Sequence, residues 1–520
     1  MKISVTSRLL STGLLLISSY TFANSDISKP KEIKKYINKS NMDLGVKPGN
    51  NFYKYANGNW VKNNPVPDSK TRWGSFDELR EESSKRLQTL LEDAAKNTSR
   101  GRKTQIIGDF YASGMDSAAI DAKGYQPIKA DLDRLNTVNN TADVLREIVT
   151  LRVNGMGSAL FGTGVGPDRK NVMKYIPSVN QGGTSLPDRD YYLKDDARST
   201  TIRNAYKSHL QKMFVLAGEN ATTAAASAAA VLKIETTLAK AQMSRIEMRN
   251  PNATYNKFAV KNFNDSTPNI DWVKFLKDCK IEGADSMLVS NPSFMKKVNE
   301  MLLSVPATEW RSYLRWNLIK SAAPYLSNDF VKADFEFNSV QTGQKVQTPR
   351  WQRMSSLIDR MLGDMVGELY VEKYFKPEAK EYMVKLVDNL QSTFAERIQR
   401  LDWMSAETKT KALEKLNAIA KKIAYPDKWR EYEGITALSS NFLTLTITPI
   451  SIVGVYCDCC SSMVCLTMSS LIKFKTLFNS SIKFGLKSSS FSALKFFSNS
   501  SNFLRYCSNS SLSIFLFFFF

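Results

Sequence analysis

Along most of the chain, apolar residues recur at steps of three and four, the signature of helices that bury one face. The pattern predicts helices over Ile106–Ala122, Thr141–Val153, Ser199–Ala217 and Ala221–Met248, and a short one over Pro127–Leu135 that opens on its proline. In the alanine-rich helix, Val231, Ile234, Leu238 and Ala241 form a core stripe. Pro251, Pro268, Pro292 and Pro306 cut the next region into short helices before a longer one over Trp310–Phe330, and Phe330–Thr348 holds a short excursion. Gln352–Tyr374, Glu378–Leu401 and Ala406–Ile423 read as further helices, the last capped at Ser405. Few strands emerge, and the glycines of Gly162–Val172 read as turns because the Gly-Lys-Ser/Thr ending of a phosphate loop is missing. The fold class is mainly α.

The stretch Met42–Arg80 is the densest in rings and glycines. Phe52, Tyr53, Tyr55 and Trp60 are expected to supply large buried surfaces, with Gly49, Gly58 and Gly74 at turns between them. Ser75 and Glu78 have the spacing of a capping box, and Phe76, Leu79, Leu87, Leu90, Leu91 and Ala94 mark one apolar face of the helix that follows. Arg72 stands just before that helix and Asp77 in its first turn, where a carboxylate suits the unsatisfied amides. A guanidinium held in this way can grip a carboxylate with two parallel hydrogen bonds. The alternative is a surface ion pair between Arg72 and Asp77, worth about 0–1 kcal/mol. Arg189 and a neighbouring Asp188 or Asp190 read as a local structural pair.

Composition refines this picture. A chain of 520 residues with 43% apolar content is long enough for more than one domain. The formal charge of +21 invites a nucleic-acid reading, but basic residues are interspersed with acids through Ile435, as in DELREESSKR at Asp77–Arg86, so nucleic acid is not an expected partner. Met1–Ala23 combines Lys2 and Arg8, an apolar run from Leu9 to Ile17, and a small-x-small ending, which reads as a cleavable signal peptide followed by a polar linker over 24–41. Before residue 436 the chain has one cysteine, Cys279, so this body holds no internal disulfide.

After Ile435 the character changes: of the 50 acidic residues only Asp458 lies beyond, while serine and phenylalanine take over. Residues 436–520 read as a low-complexity tail of frameshifted or mis-joined origin. Its rival reading is a membrane anchor through the uncharged 437–457, weakened by many hydroxyl residues and Pro449. The Cys457–Cys460 cluster lacks the repeated Cys-x-x-Cys pairs of structural zinc sites.

Several ordered blocks give a further lead: NFYKYANGNW at Asn51–Trp60, RWGSFDELR at Arg72–Arg80, LPDRDYYL at Leu186–Leu193, RNPNATYNK at Arg249–Lys257, LDWMSAETKTKALEKL at Leu401–Leu416, and YPDKW at Tyr425–Trp429. In these the chain resembles the neprilysin and endothelin-converting enzyme family of zinc metallopeptidases, especially its bacterial oligopeptidase-O branch. The resemblance covers 42–435 and implies the multi-helix N-terminal lobe of a two-lobed, secreted or periplasmic endopeptidase acting on small peptides. It also implies that Arg72 contacts the free C-terminal carboxylate of a bound peptide with Asp77 as its orienting partner, Arg80 carrying over less directly. Zinc is the cofactor expected of the family, on an H-E-x-x-H helix that lies beyond the YPDKW block. This sequence has one histidine, His209, set in a helical core pattern, so no catalytic residue and no metal ligand is assigned here. The resemblance thus implies a truncated catalytic lobe and an inactive chain. The alternative is a peptide-binding or interaction module without chemistry, anchored or not through 437–457.

Overall fold

The computed structural model describes residues 38–97 and 101–432. The signal peptide, most of the linker, the tail and its anchor alternative lie outside the described residues. The chain divides into two compact units at Pro67.

The first unit carries one long helix, α1 (Phe52–Asn63), capped by Asn51, whose side chain accepts from the Lys54 amide. The expected burial of its rings does not occur: Phe52 and Tyr53 are 69% and 68% exposed, and no residue of α1 is buried. Among the described residues of this unit no second long helix covers them. Gly58 is not at a turn either. It sits inside α1, where a Cβ would come within 2.6 Å of the Asp43 Cβ, so a close approach of the preceding loop requires it.

The second unit has two apolar cores. In the smaller one, α2 (Ser75–Lys96), α3 (Arg102–Met115), α4 (Ser117–Lys123) and α15 (Arg350–Tyr374) enclose Leu91, Ile107, Phe110, Leu357 and Ile358. Helices α2 and α3 touch backbone to side-chain root: a Cβ on Gly108 would lie 2.3 Å from the Ala94 carbonyl oxygen. The single helix expected over Ile106–Ala122 is broken at Asp116, whose carboxylate leaves the helical path to accept from the Ala119 amide and start α4. Only the C-terminal half of the α2 apolar face is buried. Leu90, Leu91 and Ala94 are covered, while Phe76 and Leu79 are 49% and 54% exposed.

The larger core gathers α5 (Gln126–Leu135), α6 (Thr141–Val153), α8 (Ala197–Leu216), α9 (Ala221–Ala241), α12 (Pro292–Ser304) and α13 (Ala307–Ala322). Trp272, Trp310, Trp316 and Tyr206 are buried in it, each a large desolvated surface. Helix α13 stops at Ala322 because Pro324 cannot donate the next helical bond, and α14 (Asn328–Thr342) forms where a short excursion was expected. Helix α9 stops at Ala241 with Gln242 extended, short of Met248.

A sheet flanks this core, contrary to the near absence of strands expected from the pattern. Its order is β1 (Phe161–Asp168), β2 (Asn171–Gln181), β4 (Ser286–Val289), β3 (Asn256–Ala259), with β1–β2 an antiparallel hairpin. Gly162, Gly164 and Gly166 are therefore strand residues, not turns.

Between sheet and helices lies the LPDRDYYL block, which includes the short α7 (Asp190–Leu193). Tyr192 accepts from the amides of Ser185 and Leu186, 3.0 and 2.8 Å away, and donates to Glu235 at 2.7 Å. Tyr206 and Ser185 donate to the same carboxylate at 2.9 and 2.7 Å. Burial pushes the Glu235 carboxyl up, and the Lys320 ammonium and these three hydroxyls oppose it. Arg189 pairs with neither aspartate: its guanidinium donates to the Gln242 carbonyl, Asp188 meets Arg245 and Asp190 meets Lys194. The expected local pair gives way because Gln242 has left α9 and presents an otherwise unused carbonyl.

The last helices are α16 (Pro377–Arg400) and α17 (Ala406–Asn417), the latter capped by Ser405 as expected. After them, Tyr425 and Trp429 of the YPDKW block stack at 6.2 Å, and Lys380 sits 4.2 Å above the Tyr425 ring while pairing with Asp427.

Candidate functional site

Arg72 and Asp77 are brought together by the way α2 begins. Gly74, in extended conformation, is the N-cap, and its carbonyl accepts the Asp77 and Glu78 amides at 2.8 and 3.1 Å. The capping box does not form: Ser75 is the first helical residue, one position too late to serve as cap, and no side chain caps this end. A glycine cap puts no side chain between the incoming loop and the helix, and the Asp77 carboxylate lies 3.7 Å from where a Gly74 Cβ would be.

The carboxylate of Asp77 faces two guanidiniums. Its Oδ1 lies 3.0 Å from Arg80 Nη1 and 3.8 Å from Arg72 Nε. Asp77 is 19% exposed, whereas Arg80 and Arg72 keep 42% and 50% of their side chains open to solvent. One turn further, Glu81 is held by Lys70 at 3.5 Å and by the Gln352 side-chain amide at 3.2 Å. These groups and Trp73 line an open cleft of about 270 Å³. Pairs this exposed contribute about 0–1 kcal/mol each, so the cluster is a poor device for stability. As a receptor it is better suited. Three cations against two carboxylates leave the wall one positive charge in excess, and the arginines present planar donors of the kind that grip a carboxylate.

Both residues expected from the sequence thus share one cleft, but Arg80, not Arg72, is the closer partner of Asp77. That contact was legible, since residues three apart on a helix are neighbours. Lys70 could be reached only through the fold of the loop that enters α2, and Gln352 comes from α15, far along the chain.

The described residues do not fit a zinc ion. His209 is 6% exposed in α8, stacked 4.8 Å from the Phe337 ring and edge-on to Trp316, with burial pushing its imidazole down to about 4. Cys279 is buried, and among the described residues no group of three or more His, Cys, Asp or Glu side chains could hold a metal.

A mainly helical body of this kind recurs in solved zinc metalloproteases. The solved structure of Mycobacterium tuberculosis zinc metalloprotease Zmp1 in complex with an inhibitor superposes with a TM-score of 0.74 at 28% identity, covering 83% of this chain and 64% of that one. Human endothelin-converting enzyme 1 is 27% identical over 399 residues, 75% of this chain and 51% of that protein. Drosophila melanogaster neprilysin-3 is 26% identical over 452 residues, 82% of this chain and 55% of that protein. The model of Peptidase family M13 matches residues 48–426, and the chain belongs to that family of neprilysin-like zinc metallopeptidases. It spans about half the length of these two relatives.

Proposed function

We infer that this chain is the peptide-holding part of an M13 metalloendopeptidase, exported to the cell envelope or beyond, and that the Arg72 cleft receives the free C-terminal carboxylate of a small peptide. The observation that carries the reading is the placement of Asp77 between Arg80 and Arg72 at 3.0 and 3.8 Å, with both guanidiniums still half open to the cleft. Asp77 orients the arginines, and the incoming carboxylate completes the charge balance of the wall. Family membership supports the substrate class, and export rests on the composition of Met1–Ala23. Among the described residues no helix is long and apolar enough to cross a membrane.

Hydrolysis is assigned to residues outside these 520, because the sequence contains a single histidine and the two-histidine zinc helix of the family needs a pair one turn apart. The chain by itself therefore binds peptide without turning it over. Titration of the purified chain with a fluorescent peptide in free-acid and C-terminally amidated forms tests the reading. Saturable binding of the acid alone is expected. Equal binding of both forms, or neither, overturns it, and chelator-sensitive cleavage of the peptide overturns the assignment of hydrolysis elsewhere.

A further inference from the structure

Helices α8 and α9 pack side by side, and on their outer surface lies an open cleft of about 390 Å³, unconnected with the Arg72 site. Lys207 enters it from α8, and Ala229, Lys233, Thr236 and Lys240 from α9. The α9 residues follow one another at steps of four, three and four, so they form a single stripe along the helix. Its three lysines lack the intrahelical carboxylate partner that several other helix lysines have. Lysines such as Lys129, Lys274, Lys297 and Lys411 have a carboxylate three or four residues away and pair with it at 2.5–2.9 Å. None of the cleft lysines has an acid at that spacing: Lys207 is flanked by Arg203, Asn204, Leu210 and Gln211, and Lys240 by Thr236, Thr237, Met243 and Ser244. Lys233 alone has an ion pair among the described residues, with Glu309 of α13 at 2.7 Å. The two threonines also differ. Thr237 turns its hydroxyl back onto the Lys233 carbonyl at 2.9 Å, whereas the Thr236 hydroxyl takes no partner among the described residues.

The stripe therefore offers ammonium groups and a hydroxyl donor along a groove floored by Ala229 and Leu232, with one nearby carboxylate to offset them. Ammonium groups are compact point charges with three rotatable donors, suited to phosphate oxygens arriving from several directions. Length narrows the ligand further. Lys233 and Lys240 are seven residues apart, about 10 Å along the axis at 1.5 Å per residue, with Thr236 between them. A short chain of phosphates matches that length and can set an anionic oxygen against each lysine at once. We propose that the α8–α9 cleft binds an oligophosphate chain, with Lys207, Lys233 and Lys240 as its cationic donors and Thr236 as its hydroxyl donor.

Calorimetric titration of the full chain at physiological salt with inorganic tripolyphosphate, orthophosphate and adenosine triphosphate tests this. Tripolyphosphate should bind once per chain and at least tenfold more tightly than orthophosphate. The double variant Lys207→Gln/Lys240→Gln should weaken it at least tenfold. A control of equal charge, Lys274→Gln/Lys297→Gln, should change it less than twofold. Equal affinity for tripolyphosphate and the nucleotide places recognition in the phosphate chain alone, and tighter nucleotide binding that is lost in the double variant points to a nucleotide as the source. An equal loss in the control pair shows a mere net-charge effect and overturns the proposal. So does orthophosphate binding as tightly as tripolyphosphate, or binding to anionic lipid vesicles with tripolyphosphate inert.

Discussion

Acidification should destabilise the larger core through His209 in a measurable and separable way. Burial holds its imidazole neutral, lowering its pKa from 6.5 to about 4; the Ala333 backbone pulls the other way, and nearby Lys212 and Glu336 pull in opposite directions. A group whose pKa is depressed on folding contributes stability that is complete above its unfolded value. That stability is lost as pH falls, here between 6.5 and about 4. At about 1.36 kcal/mol per pH unit, the full loss is roughly 3 kcal/mol, of which about 2 has gone by pH 5. Urea denaturation of the wild type and of His209→Phe at pH 7 and pH 5 gives the difference directly. Phenylalanine keeps a ring stacked on Phe337 but cannot take a proton, so carboxylate titration common to both proteins cancels. The variant should lose about 2 kcal/mol less than the wild type over this interval. Because the chain has one histidine, a histidine-labelled NMR titration reports its pKa without assignment. An unchanged slope in the variant, or a resonance titrating near 6.5, refutes the reasoning.

Gly108→Ala places a methyl 2.3 Å from the Ala94 carbonyl and should lower stability by about 1–3 kcal/mol in urea melts, as overpacking of a close helix pair does. Glu235→Ala leaves the hydroxyls of Ser185, Tyr192 and Tyr206 facing a buried void and should cost about 2–5 kcal/mol by the same measurement, against little for a surface glutamate such as Glu407. After dialysis against micromolar zinc, elemental analysis should find no stoichiometric metal; one tightly held zinc per chain contradicts the reading of the donor set.

Much of the helical plan was legible because local signals agreed with the tertiary outcome. Thr141–Val153 forms as the periodicity predicts, with Asn140 accepting from the Asp143 amide, and Ser405 caps α17. The sheet was not legible, for identifiable reasons. Alternating glycines in β1 erase the period-two hydrophobic signal, Pro177 interrupts β2, and β3 and β4 are only four residues long. Phe76 and Leu79 lie on the same face as Leu90 and Leu91 but are separated from them by the polar run Arg80–Arg86, and the periodicity alone does not say which part of that face is covered. Within the site, the placement of Arg72 against Asp77 followed from five residues of spacing. The closer hold of Arg80 was equally legible as an i,i+3 pair on the helix. The anchoring of Glu81 by Gln352 depends on how α15 packs on α2, which only the assembled core determines.

The central claim, that the Arg72 cleft recognises a terminal carboxylate, is tested most directly by measuring free-acid and amidated forms of one peptide against wild type, Arg72→Ala and Lys274→Ala. Loss of a charge-assisted contact costs about 1.5–3 kcal/mol, so Arg72→Ala should weaken the free acid by roughly ten- to a hundredfold and leave the amide nearly unaffected, while Lys274→Ala, remote from the cleft, changes neither. If Arg72→Ala weakens both forms equally, or neither, Arg72 is a structural residue and the cleft is not the carboxylate receptor.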